Sequence, residues 1–181
     1  MRVIGVATVS VDGRITPPQA EGTPFSSRET GQHFFSLVGQ SDAVVSGRRT
    51  FDAVKEMMIP MMSSSSQKVV NVIMTRSPSA YDKESFPEGL EFSSLAPGEL
   101  VASLEQRGLK SLLVAGGSQI YAAFAAEQLV DEWFIAVEPV ILGGGTPLFG
   151  FAADQQLELL DHRLLNAGTV LLHYSVKQAS R

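Results

Sequence analysis

At 181 residues with 44% hydrophobic content, the chain is long enough for one well-packed core and short for two. A formal charge of -5 and a pI near 5.2 argue against a generic nucleic-acid partner, whose phosphates are held mainly by clustered Lys and Arg. There is no cysteine, and His33, His162 and His173 stand far apart, which excludes disulfides, thiol chemistry and Cys-ligated zinc and leaves no expectation of a metal; the cytoplasm is the natural compartment.

Val3 to Val9 is a nearly continuous, β-branched apolar run, the pattern of a central strand covered on both faces. Asp12 and Arg14 interrupt it before signal-peptide or membrane-spanning length is reached, so no bilayer crossing is expected. Residues 12–25, with Gly13, Pro17, Pro18, Gly22 and Pro24 and no periodicity, predict a long loop, a candidate lid over a site. Ser26 with Glu29 three residues on fits a capping box, and Phe34, Phe35, Leu37 and Val38 supply the apolar face of the helix it opens. Ala43 to Ser46 is the next strand. Past Thr50 a short helix reaches Lys55; the Met cluster from Met57 to Met62, with Pro60 inside it and the run Ser63 to Ser66 behind it, predicts a flexible connection.

Val69 to Met74 is a third strand and Leu90 to Phe92 a short one. Pro97 to Arg107 reads as a helix terminated by Gly108. Leu112 to Ala115 is a strand, Ser118 to Gln128 a helix, and Glu132 to Val137 another strand. After the irregular, glycine-rich segment Pro139 to Phe149, Leu157 to Leu165 pairs with Thr169 to Val176 across Asn166-Ala167-Gly168 as a hairpin. Strands alternating with helices up to Val137 imply an α/β fold: a mostly parallel central sheet with helices on both faces, extended by the C-terminal antiparallel hairpin, in one domain spanning residues 1–181.

In such a sheet ligands bind beyond the carboxyl ends of the strands. Four of these ends carry polar or glycine-rich segments: Val9 to Gly13, Gly47 to Thr50, Thr75-Arg76-Ser77 and Gly116 to Gln119. Gly47-Arg48-Arg49-Thr50 gathers backbone N–H groups, a hydroxyl and guanidinium donors around one small space, which suits a phosphate. Cations at a helix start oppose its dipole, so a local anion accounts for the two arginines. Gly116-Gly117-Ser118-Gln119, entering a helix, is a second phosphate cradle, and two cradles at the ends of two buried strands suggest a dinucleotide. No Gly-x-Gly-x-x-Gly or Gly-x-x-x-x-Gly-Lys occurs, which excludes Rossmann and P-loop sites, and the absence of Gly-x-Ser-x-Gly weighs against an α/β-hydrolase.

The order of motifs is itself informative. Ser10-x-Asp12-Gly13, the Pro-rich loop, Ser26-x-x-Glu29, Asp42 to Thr50, Ala115 to Tyr121, Leu129 to Glu132 and Pro139 to Gly145 follow one another with fixed spacing. In this the chain, from Val3 to about Val176, resembles the three-layer dihydrofolate-reductase-like fold. More closely, it resembles the C-terminal reductase domain of bifunctional riboflavin-biosynthesis enzymes and its stand-alone relatives. The resemblance implies an NADPH-dependent oxidoreductase that transfers a hydride to a heterocycle, either a ribosylamino-pyrimidine phosphate of riboflavin biosynthesis or a related compound.

It also implies how the residues divide. Arg48, Arg49, Thr50, Thr75, Arg76 and Ser77 would surround the adenosine 2′-phosphate; Gly47, Gly116, Gly117, Ser118, Gln119 and Ile120 would line the phosphate cradles; Ala7 and Thr8 would line the nicotinamide. Asp12 and Glu29 are the candidate catalytic carboxylates, as proton donor or acceptor-orienting group, with Ser26, Ser27 and His33 as substrate-side neighbours. A homodimer is the expected assembly, and unpaired edge strands offer a route to it. Phe51 to Pro60 lacks the Asp-Asp-Pro stretch, and Ala115 stands in place of the Glu, that riboflavin reductases carry there, so a dihydrofolate or pterin reductase and a non-catalytic nucleotide-binding module stay open as alternatives.

Overall fold

Burial on both faces explains why the first strand shows no polar alternation. The computed structural model describes residues 1–20, 22–64, 68–81 and 85–177. In chain order it contains β1 (Arg2–Ser10), β2 (Arg14–Thr16), α1 (Arg28–Val38), β3 (Ala43–Gly47), α2 (Arg48–Ser64) and β4 (Val70–Met74). After a 3-10 turn at Pro78–Tyr81 come β5 (Leu90–Ser93), α3 (Pro97–Gln106), β6 (Ser111–Val114), α4 (Ser118–Ala126), β7 (Glu132–Glu138), β8 (Thr146–Pro147), β9 (Leu157–Leu164) and β10 (Val170–Val176). Eight strands form one sheet in the order β5-β4-β3-β6-β1-β7-β10-β9. All pairings from β5 to β7 are parallel; β10 runs antiparallel to both β7 and β9.

Alternate residues of the central strands feed two cores. Val3, Ala7, Val45, Val72, Leu112, Val114 and Trp133 face α3 and α4, which contribute Leu100, Leu104, Tyr121 and Phe124. Ile4, Val6, Val44 and Leu113 face α1, which contributes Leu37 with Phe34 and Val38 beside it. Fully buried Phe51 seats α2 edge-on against Tyr81, Phe86 and Phe92, with the Tyr81 and Phe92 rings stacked at 4.0 Å. Among the described residues no helix is long and apolar enough to cross a membrane.

Three local expectations change. Residues 12–25 are not loop throughout, because β2 pairs antiparallel with β8 and so ties the start of the Pro-rich segment to the glycine-rich one. Helix α2 continues through Pro60 to Ser64 instead of ending near Lys55. The proline forfeits a hydrogen bond to the carbonyl four residues back. The methionines around it are good helix formers, and the Ser63 and Ser64 hydroxyls donate to the Ile59 and Met61 carbonyls at 3.0 and 3.1 Å. Met57 and Met61 lie exposed along this helix, and Ser65 and Ser66 of the expected connection lie outside the described residues. The third change concerns the helix cap: α1 is capped by Ser27, whose Oγ accepts from the Thr30 N–H, so Ser26 and Glu29 form no capping box.

Candidate functional site

The site arises where β6 stops short. β1 pairs with β6 only from Arg2 to Gly5, while on its other side it pairs with β7 from Ile4 to Ser10. Beyond Gly5 the vacated edge is taken by Tyr121 of α4, whose hydroxyl donates to the Val6 carbonyl at 2.6 Å; burial pushes this phenol's pKa up and keeps the donor proton in place. Ala7 is buried and Thr8 is the half-exposed position in an otherwise buried run from Val3 to Ser10. These two residues lie at the carboxyl half of the strand, next to the gap.

The two candidate cradles meet across this gap. The Gly47 N–H donates to the Gly116 carbonyl at 2.7 Å, joining the start of α2 to the start of α4. The fit depends on missing side chains: a Cβ on Gly47 would lie 2.9 Å from Ile120 Cγ1, and one on Gly117 would lie 3.0 Å from Thr50 Oγ1. Gly116 has φ +100 and its backbone passes against the Tyr121 hydroxyl, where a Cβ would sit 2.8 Å away. The Gly116-Gly117 peptide is cis. Because a helix cannot satisfy its own first N–H groups, Ser118 and Gln119 present theirs at the start of α4, and Arg48 and Arg49 do so at the start of α2.

Arg48 and Arg49 are exposed, have no acidic residue in their own first helical turn, and have no carboxylate partner among the described residues. The register Gly47↔Met74 sets Thr75 beside the start of α2, with exposed Arg76 and Ser77 following it. Thus Gly47, Arg48, Thr50, Thr75, Gly116, Gly117 and Ile120 gather at one end of the sheet. Ser118 is less open than its motif suggests: its hydroxyl donates to the Pro147 carbonyl at 2.6 Å, and its own carbonyl accepts from the Gly150 N–H at 3.1 Å.

The carboxylates differ sharply from one another. Asp12 accepts from the Ser10 hydroxyl at 2.7 Å and from the backbone N–H groups of Leu142 and Gly143 at 3.0 and 2.9 Å. The Leu142 N–H, then the Ser10 hydroxyl, lower its pKa to about 2, so at neutral pH it has no proton to give. Its carboxylate anchors the glycine-rich segment beyond β7 to the end of β1. Glu29, in the first turn of α1, is half-buried, and its Oε2 accepts from Asn166 Nδ2 at 3.3 Å. Ser26 is half-buried next to it, while the polar groups of Ser27 are committed to the helix start.

His33, one turn beyond Glu29, faces the protein. Its ring lies 5.5 Å from that of Phe134, its Nε2 is buried with no partner among the described residues, and burial followed by the charges of Arg163 and His173 lowers its pKa. No group of three His, Cys, Asp or Glu among the described residues is placed to hold a metal.

Four residues outside the sequence reading complete the site. Glu138, at the carboxyl end of β7 and 2% exposed, accepts from the Ser27 N–H and Thr30 Oγ1 on one oxygen, both at 2.7 Å, and from Thr169 Oγ1 on the other at 2.6 Å. Burial alone raises its pKa, but the Thr169 hydroxyl, the Ser27 N–H and the Thr30 hydroxyl outweigh that and lower it. An acid closing an apolar strand, directly before Pro139, was the available signal. Asn166 read only as a turn residue and Thr169 only as the start of a strand. Arg14 gives its N–H to Ser10 Oγ at 2.9 Å, and its Nε is buried with no partner among the described residues.

A largely parallel sheet in this order, opening beside its central strand between two glycine-led helix starts, defines a dihydrofolate-reductase-like α/β protein. The chain belongs to the RibD C-terminal domain family, whose model matches residues 2–171. It is 30% identical over 133 residues to the uncharacterized protein YwjB of Bacillus subtilis (strain 168), covering 74% of this chain and 72% of that one. Solved structures share the fold. The pyrimidine reductase-like protein of Corynebacterium diphtheriae NCTC superposes with TM-score 0.76 at 17% identity, covering 98% of this chain and 92% of that one. The diaminohydroxyphosphoribosylaminopyrimidine deaminase/5-amino-6-(5-phosphoribosylamino)uracil reductase of Thermotoga maritima does so with TM-score 0.80 at 17% identity; 97% of this chain covers 56% of that longer one.

Proposed function

We propose that this chain is a cytoplasmic NADPH-dependent reductase that transfers a hydride directly to a heterocyclic substrate, a ribosylamino-pyrimidine phosphate or a related compound. The observation that carries the reading is the meeting of two helix starts across Gly47 and Gly116, with two exposed arginines on one of them and no carboxylate partner for either among the described residues. Family membership and the reductases among its structural relatives support it.

The residues present fit a dinucleotide phosphate. Arg48 and Arg49, with Thr50, Thr75, Arg76 and Ser77, would hold the 2′-phosphate; the N–H groups of Ser118 and Gln119, reached across the side-chain-free Gly116-Gly117 and flanked by Ile120, would hold the pyrophosphate. Ala7 and Thr8 would line the nicotinamide. Bound there, the cofactor supplies the hydride. Asp12 acts as a fixed negative charge holding the segment at Leu142–Gly143, and Glu29 takes the proton-donor or substrate-orienting role beside Ser26. Ser27 and His33 shape that wall from behind.

Titration calorimetry tests the cofactor. Charge-assisted hydrogen bonds contribute about 1.5–3 kcal/mol each, so NADPH should bind at least about ten-fold more tightly than NADH; equal affinities would overturn the assignment. NADPH oxidation across pyrimidine, pterin and folate substrates then separates a riboflavin-type reductase from a dihydrofolate or pterin reductase, and both from a binding module that turns nothing over.

The assembly we propose is a homodimer paired through β9. Every residue of this edge strand is exposed, with Leu159, Leu160 and Leu164 at 50, 52 and 67%. Antiparallel pairing of two copies about Leu160 and Asp161 would set Glu158 opposite Arg163 twice and Leu157 opposite Leu164. Light scattering should give twice 19.4 kDa, and Leu160→Lys should return the monomer; a monomeric parent protein would refute it.

A further inference from the structure

We infer that Asn166, in the turn between β9 and β10, is a positioning residue that fixes the carboxylate of Glu29. The functional meaning of this role rests on the reductase reading above. The side-chain amide of Asn166 has only one orientation consistent with its neighbours. Its Oδ1 accepts from the Gly168 and Thr169 N–H groups at 2.9 and 2.8 Å, and the turn is closed by the Leu165 N–H to the Thr169 carbonyl at 2.9 Å. Both acceptances require oxygen at that position, so the NH2 group is left to point at Glu29 Oε2, 3.3 Å away.

The turn itself is tied to the helix that carries Glu29. Thr169 Oγ1 donates to Glu138, and the other oxygen of Glu138 accepts from Ser27 and Thr30, which flank Glu29 at the start of α1. The distance from Asn166 to Glu29 is therefore set by a closed chain of hydrogen bonds running through β7, not by the flexibility of a hairpin. One carboxylate oxygen of Glu29 is held by a fixed donor, and among the described residues its Oε1 has no partner. Such an arrangement aims the second oxygen and keeps the carboxyl from turning back into the helix start, where it would compete for the free N–H groups.

The test uses the full-length protein without added ligand. In 1H–15N NMR spectra, the Asn166 side-chain NH2 signals, identified by their loss in Asn166→Asp, should shift between neutral and acid pH. In Glu29→Gln this shift should vanish. Signals that do not move in the parent protein, or that move equally in Glu29→Gln, would overturn the inference. Asn166→Asp keeps an oxygen acceptor for Gly168 and Thr169, so the turn should hold, while a negative charge replaces the donor facing Glu29. With a substrate found in the oxidation panel, this variant should move to higher pH whichever limb of the pH–rate profile Glu29→Gln abolishes, an effect that loss of a merely structural turn contact would not produce. An unmoved limb would equally refute the role. Should no substrate be reduced, the proposed activity fails while the NMR result still decides the contact.

Discussion

Replacing Thr169 isolates one hydrogen bond in the network that shapes the proposed substrate side of the cleft. Thr169 is 1% exposed, and its hydroxyl donates to Glu138 Oε2 at 2.6 Å. Thr169→Val keeps the shape and deletes the donor, leaving that oxygen of a buried carboxylate unpaired. A hydrogen bond to a charged group is worth about 1.5–3 kcal/mol, so the variant should lose about that much stability. For a chain of this size each kcal/mol corresponds to about 2–4 °C in Tm, which makes the expected drop roughly 3–12 °C. Thr169→Ser keeps the donor and loses one methyl, about 1 kcal/mol. Urea unfolding followed by the fluorescence of Trp133, the single, buried tryptophan, gives both values. The pH dependence supplies a second check. A carboxyl whose folded pKa is lowered stabilises the fold above its unfolded pKa, and that contribution disappears as pH falls through the folded value. The gap between the Val and Ser variants should therefore be full at neutral pH and narrow in acid. Equal stability of the two at pH 7, or a gap independent of pH, would refute the claim that Glu138 is a charged organiser.

Arg48→Ala and Arg49→Ala should each weaken NADPH binding by about 10- to 150-fold while leaving NADH unchanged, as calorimetry with both nucleotides would reveal; parallel losses for the two nucleotides would remove the arginines from the 2′-phosphate. Gly5→Ala should severely destabilise the fold or abolish soluble expression, because its Cβ would lie 2.2 Å from the Trp133 ring in a core where neither backbone nor indole has room to retreat. In Asp12→Asn the amide hydrogens of Leu142 and Gly143 should exchange faster at neutral pH. In the parent protein their protection should persist through mild acid and fade only as pH approaches about 2, since a lowered folded pKa holds the lock above that value.

What the sequence disclosed about the fold was what local pattern can carry. β1 announces itself because a strand covered on both faces needs apolar residues throughout, and the hairpin because Asn166 to Gly168 separates two strand-length runs with a three-residue loop. The pairing of β2 with β8 escaped detection for a physical reason: three residues and two, one of them a proline, are too few for any period to register, and their partner strand is 130 residues away at Thr16 and Thr146. Pro60 misled because a rule about lost hydrogen bonds says nothing of helix-forming methionines on either side and back-bonding serines behind them. From sequence Ser26, with Glu29 three residues on, is the better capping candidate, and Ser27, followed by Thr30, is only a plain N-cap residue. What separates them is Glu138, which takes the N–H of Ser27 from 111 positions down the chain.

The same division runs through the site. Groups that would face a nucleotide sit where backbone signals are strongest, at glycines ending strands and at the first turns of helices, because phosphate recognition uses N–H groups that local structure leaves free. Gly47, Arg48 and Gly116 are legible for that reason. The carboxylates of the site find their partners far away: Asp12 in Leu142 and Gly143, Glu138 in Ser27 and Thr30, Glu29 in Asn166 across 137 residues. An isolated Asp, Glu or Asn carries no mark of such a partner, so Asp12 and Glu29 look alike in sequence. In the fold one is saturated with donors and the other keeps an oxygen with no partner among the described residues. That difference in saturation, more than position along the chain, separates a carboxylate that builds the cleft from one available to work in it.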